Sequence, residues 1–122
     1  PGRRPGDLVA ATYPERMEIP EIDVEELARR RQQGAPLLDV RQPEEFEEAR
    51  VPGAVLVPLD QLPDRLDEVP DGDLLVICKM GGRSAKAVEF LASQGRDATN
   101  VAGGTMAWID AGHPVDRGAG SA

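Results

Sequence analysis

The apolar residues of this chain gather in short unbroken runs, separated by longer stretches in which they recur every three or four positions. An unbroken run is what a strand buried on both faces requires, whereas a half-exposed antiparallel strand alternates apolar with polar. PLLDV predicts such a strand at 37 to 40, VPGAVLVPL a second at 54 to 57 between prolines, and DGDLLVIC a third. ATNVAGGTMAWIDAGHP opens on a fourth strand and continues as a helix closed by Gly112 and Pro114. An edge strand is also expected near Glu18 and Ile19.

The intervening stretches carry helix punctuation. Asp23, followed three residues later by Glu26, with Ile22 before it and Gly34 as a stop, predicts a helix over about 23 to 33. PEEFEEA reads as a short surface helix, its acidic run Glu44 to Glu48 forming a solvated face. Leu59, Leu62 and Leu66 share one side of a short helix made irregular by Pro63. SAKAVEFLASQG predicts a helix started by Ser84 and stopped by Gly95, with Ala85, Val88, Leu91 and Ala92 inward. Strands and helices therefore alternate, the signature of an α/β domain with a parallel sheet. In such sheets ligands collect beyond the carboxyl ends of the strands, where Asp39 to Arg41 and Cys78 to Ser84 fall.

Composition narrows the partners. With 122 residues, 40% hydrophobic and 30% charged, the chain has the size of one domain. Residues 1 to 16 mix Pro, Gly and charge without periodicity and are expected to be a flexible segment, 17 to 117 the folded domain, and 118 to 122 a flexible tail. A net charge of -8 argues against nucleic acid and anionic membranes, which need a basic surface. The single cysteine cannot form an internal disulfide, and no apolar run approaches a membrane span. Arg3 and Arg4 are followed only by Leu8 to Ala11, too short for a secretory signal, so a reducing, cytoplasmic setting is expected.

That cysteine, Cys78, ends the third strand. The turn after it contains Gly81 and Gly82, free to adopt backbone angles that a side chain forbids, and a helix follows. Successive amides in such a turn converge on the sulfur, and the helix start adds partial positive charge. Lys79, Arg83 and Lys86 supply three cations with no acid before Glu89, a local anion trap in an acidic chain. Each feature favours thiolate over thiol and hence a nucleophile. A lone cysteine at a strand end also fits a small buried hydrophobe, and both readings stand at this level. Four residues separate Cys78 from Arg83, one fewer than the C-x5-R of cysteine phosphatases, which makes a tighter ring of amides.

Cys78, Gly81 and Arg83 spell C-x-x-G-x-R, and here the sequence resembles the active-site loop of the rhodanese family of sulfurtransferases. LLDVRQPEEF is similar to that family's DVR segment, VPGAVLVPL to its I-P-G-A segment and VAGGTMAW to its closing G-G-x-x-x-W, in the family's order over about residues 18 to 117. The resemblance implies a three-layer α/β/α domain with a five-strand parallel sheet and no metal or organic cofactor. It implies that Cys78 carries a sulfane sulfur as a persulfide, within a loop of Lys79, Met80, Gly81, Gly82, Arg83 and Ser84. The implied partners are thiosulfate or a persulfide donor and a thiol acceptor, with cyanide as an assay acceptor. Arg83 is expected to orient the anionic donor, so that Arg83→Ala lowers kcat/KM for thiosulfate at least about tenfold.

Asp39 and Arg41 are supporting residues, read equally as a brace for the loop or as a cap or surface ion pair. Where the family commonly has a histidine, this chain has Arg50, expected at the rim. Trp108 reads as a core anchor, and His113, the single histidine, is given no chemistry. Two other readings are a phosphatase or arsenate reductase and a partner-binding module without catalysis, although the retained cysteine argues against the latter.

Overall fold

A computed structural model of the chain describes residues 18–119. The N-terminal segment expected over 1 to 16, Met17 and positions 120 to 122 of the expected tail lie outside the described residues. Five strands form one sheet: β1 (Glu21–Ile22), β2 (Leu37–Asp39), β3 (Val55–Leu56), β4 (Leu74–Ile77) and β5 (Ala98–Val101). Their order is β1-β5-β4-β2-β3, and every neighbouring pair is parallel. Four α-helices accompany them among the described residues: α1 (Val24–Gln32) between β1 and β2, α2 (Pro43–Glu48) between β2 and β3, α3 (Gly82–Ser93) between β4 and β5, and α4 (Gly104–Asp110) after β5. None of the described helices is long and apolar enough to cross a membrane.

The unbroken apolar runs follow from having both faces of the sheet covered. Along β4, Leu74 and Val76 pack with Leu38, Val40, Val57, Val88 and Leu91, whereas Leu75 and Ile77 pack with Leu27, Leu37, Val101 and Trp108. Successive residues thus feed opposite cores, with α3 on one side and α1 and α4 on the other. This is a three-layer α/β/α domain. Each fully buried leucine or isoleucine of β4 contributes roughly 1.5–3 kcal/mol of apolar burial.

Local details follow the punctuation with a few shifts. Asp23 caps α1, accepting the Glu26 amide at 2.9 Å. The edge strand forms three residues later than expected, at Glu21–Ile22, pairing with Asn100 and Val101. Pro20 has no N–H for a ladder but lends its carbonyl to the Asn100 amide at 2.9 Å, so pairing begins there. The leucine stretch around Pro63 winds as two 3-10 turns, Leu59–Asp64 and Leu66–Glu68, with Leu62 buried. The inward stripe of α3 is Ser84, Ala87, Val88 and Leu91; Ala92, expected inside, is exposed, and Ala85 is half-buried.

Arg50 does not lie at a rim. It is 5% exposed, donates to the carbonyls of Phe46 at 3.0 Å and Gly118 at 2.8 Å, and sits 4.9 Å from the Phe46 ring centroid. Its backbone pairs with Asp116 in both directions, at 3.0 and 2.9 Å. Arg50 therefore ties the segment after α4 to the end of α2. Trp108 is buried and donates its indole N–H to the Pro114 carbonyl at 2.7 Å. The His113 ring lies 4.4 Å from Trp108, centroid to centroid, and its Nε2 is 3.3 Å from Glu25.

Candidate active site

Cys78 follows β4 at the carboxyl edge of the sheet, and its side chain turns back into a ring made by the next six residues. Gly81 adopts φ +110°, a conformation that requires glycine, and its amide donates to Cys78 Sγ at 3.1 Å. Because α3 starts at Gly82 with Gly81 as its cap, Ser84 lies in the first turn of the helix and not at the cap expected for it. Its hydroxyl donates to Cys78 Sγ at 3.3 Å. Ser84 is fully buried, and this contact places the 84, 87, 88, 91 stripe inward.

The thiol is 1% exposed. Burial pushes its pKa up, but the Ser84 hydroxyl and the amides of Ser84, Gly81 and Met80 outweigh that penalty, so the net displacement is downward. The start of the twelve-residue α3 adds its dipole to the same effect. A buried sulfur that accepts from the Gly81 amide and the Ser84 hydroxyl is prepared to hold negative charge.

The loop is seated on the start of α4, a connection the sequence announced only as a glycine pair. Thr105 donates both its amide, at 2.9 Å, and its hydroxyl, at 3.0 Å, to the Cys78 carbonyl, while the Met106 amide donates to Lys79 O at 3.0 Å. Gly104 has φ +60°, and a Cβ there would lie 2.5 Å from Lys79 O and 2.6 Å from Cys78 O. Asn100, on β5, donates to Gly81 O at 3.3 Å and to Glu21 at 2.8 Å. Lys79 and Met80 remain exposed, and a pocket of about 180 Å³ opens beside them, lined in part by Arg41, Glu45, Lys79, Thr105 and Met106.

Two arginine–carboxylate pairs flank this loop. Asp39 and Arg41 form one at the end of β2, 2.7 Å apart and with side chains only 0% and 5% exposed, so it is a buried pair and not a surface one. Arg41 also donates to the carbonyls of Ala49 at 2.9 Å and Glu45 at 3.2 Å. Through these bonds its guanidinium braces the turn into α2.

The second pair corrects two expectations. Glu45, from the acidic run read as a solvated face, grips Arg83 with both oxygens, at 2.8 and 2.9 Å. The cationic stretch from Lys79 to Lys86 is therefore answered by an acid from another element. The Arg83 guanidinium beside Glu45 lowers the carboxyl to about 2, against a smaller upward push from burial, and Glu45 in turn raises Arg83. Sequence spacing could not have found this contact, since the partners lie 38 positions apart.

Compared with known proteins, residues 23–111 match the model of the rhodanese-like domain. The chain belongs to the rhodanese-like family. Cys78 and its whole loop fall inside the matched region. Among relatives of the rhodanese-like chain is a sulfurtransferase of Allochromatium vinosum, 35% identical over 101 residues, covering 80% of this chain and 94% of that protein. Thiosulfate sulfurtransferase GlpE of Pseudomonas syringae is 36% identical over 93 residues, covering 75% and 88%. Other relatives are longer: the chain spans 35% of one from Arabidopsis thaliana and 43% of one from Mycobacterium tuberculosis. A solved rhodanese-related protein of Thermoplasma volcanium superimposes with a TM-score of 0.74 at 33% identity, covering 80% of this chain and 97% of that one. Fold, family and sulfurtransferase relatives together support a role in sulfur transfer.

Proposed function

We propose that the chain is a sulfurtransferase that carries sulfane sulfur on Cys78 as a persulfide, taking it from thiosulfate or a donor persulfide and passing it to a thiol. The observation that carries this reading is the ring of donors around Cys78 Sγ, with Gly81 N at 3.1 Å and Ser84 Oγ at 3.3 Å. In the first half-reaction the Cys78 thiolate uses its electron pair to bond the outer sulfur of thiosulfate. The sulfur–sulfur bond of the donor breaks, and its pair leaves on sulfite. The persulfide carries the remaining negative charge, which the loop amides and the Ser84 hydroxyl receive. In the second half-reaction an acceptor thiolate attacks the outer sulfur and releases Cys78 as thiolate, so ping-pong kinetics follow. No histidine adjoins the sulfur among the described residues, and the loop itself supplies the activation.

Intact-protein mass spectrometry tests this directly. Incubation with thiosulfate should add the mass of one sulfur atom, dithiothreitol should remove it, and Cys78→Ser should never acquire it while remaining folded. Aryl phosphate hydrolysis should stay at background. Phosphatase turnover without a reducible sulfur adduct would overturn the assignment.

A further inference from the structure

The cation that the C-x-x-G-x-R spacing offers to the donor is already occupied. Both terminal nitrogens of Arg83 are bound by Glu45, whose Oε1 also accepts the Gln42 amide at 2.9 Å. That second bond fixes the carboxylate at the start of α2, with Gln42 as the helix cap, so Glu45 is held in place and not merely drawn to the arginine. The pair is 37% and 28% exposed, open to solvent and adjacent to the pocket beside the loop. Around the pocket beside the loop the charges are then Lys79 and Arg117 positive, Glu48 negative, Arg41 and Arg83 cancelled by Asp39 and Glu45, and Cys78 itself negative in its reactive form. With a net charge of -8 on the whole chain, a dianion such as thiosulfate meets little attraction, whereas a singly charged persulfide on a small thiol is penalised less.

We infer that Glu45 is a specificity-determining residue: by cancelling Arg83 it biases the loop against dianionic sulfur oxyanions and toward thiol-borne persulfides as sulfur donors. This rests on the persulfide reading of Cys78 and acts through Arg83, so Glu45 is a positioning residue and touches no reacting atom. Its consequence runs against intuition, since removing an acid from the site improves the use of one donor.

The test is steady-state sulfur transfer by the full chain, with thiosulfate and cysteine persulfide as alternative donors. Glu45→Gln keeps an acceptor for Arg83 and for the Gln42 amide but removes the charge. It should raise the thiosulfate-to-persulfide ratio of kcat/KM about fivefold, chiefly through a lower KM for thiosulfate. Raising salt to about 0.5 M should shrink the gain, because an exposed charge is screened at that ionic strength. The double variant Glu45→Gln/Arg83→Ala should lose the gain. A ratio that stays flat or falls, or a gain that survives both salt and the loss of Arg83, would overturn the inference while leaving Cys78 persulfidation intact. If the unmodified chain gains no sulfur on Cys78 from either donor, the sulfur-transfer reading itself fails and the inference falls with it.

Discussion

Two arginine–carboxylate pairs stand at the same edge of the sheet, and their difference is one of burial. Asp39–Arg41, at the end of β2, is sealed, and each nitrogen of its guanidinium donates to an acceptor, Asp39 itself or the carbonyls of Glu45 and Ala49. Glu45–Arg83, between α2 and the cysteine loop, is similar in geometry but about a third exposed. A sealed pair cannot lose one member without stranding the other in a place water does not reach, so it acts as structure. An exposed pair contributes little to stability, since water and salt compete with it, but its charge balance reaches approaching substrates. The same chemistry thus serves architecture at β2 and electrostatic tuning at β4.

The comparison breaks most visibly through the sealed pair. Arg41→Ala should destabilise the fold by about 3–5 kcal/mol, because Asp39 is left buried without its countercharge and keeps only the amide of residue 41, whereas Arg83→Ala should cost no more than about 1 kcal/mol. Urea unfolding followed by Trp108 fluorescence measures both, and equal costs would remove the distinction.

A smaller effect is expected where the cysteine loop rests on α4. Gly104→Ala places a Cβ against the carbonyls of Cys78 and Lys79 at a positive φ, which should cost roughly 2–3 kcal/mol and displace the loop. Sulfur loading should slow more than the stability loss explains, and crystallography or amide exchange at Gly81 should show the loop moved. A variant with full loading and unchanged exchange would show that the seat is dispensable.

The smallest expected effect concerns the sulfur itself. The Ser84 hydroxyl stabilises thiolate, so Ser84→Ala should raise the Cys78 pKa and shift the pH profile of alkylation by iodoacetamide to higher pH. At neutral pH the alkylation rate should fall about threefold, because a smaller fraction is thiolate. The backbone amides remain, which keeps the effect modest. A shift to lower pH would mean that the hydroxyl accepts from the thiol and does not donate to it.

By itself the sequence determined the α/β class, the strands at PLLDV, VPGAVLVPL, DGDLLVIC and ATNV, and the Asp23 cap of α1, because each depends on neighbours within a few residues. Cys78 and its turn were legible for the same reason: strand end, glycines and helix start are contiguous. The tertiary structure decided what depends on contacts between distant segments. It moved the edge strand to Glu21–Ile22, buried Arg50 against Gly118, set Ser84 under the sulfur and brought Glu45 across 38 positions to Arg83. Gly104 belongs to both accounts: its pairing with Gly103 is visible in the sequence, but only the close approach of the Cys78 and Lys79 carbonyls gives the physical reason for it. Periodicity reports which face of an element is buried, and it carries no information about which charged side chain arrives from another element to meet it.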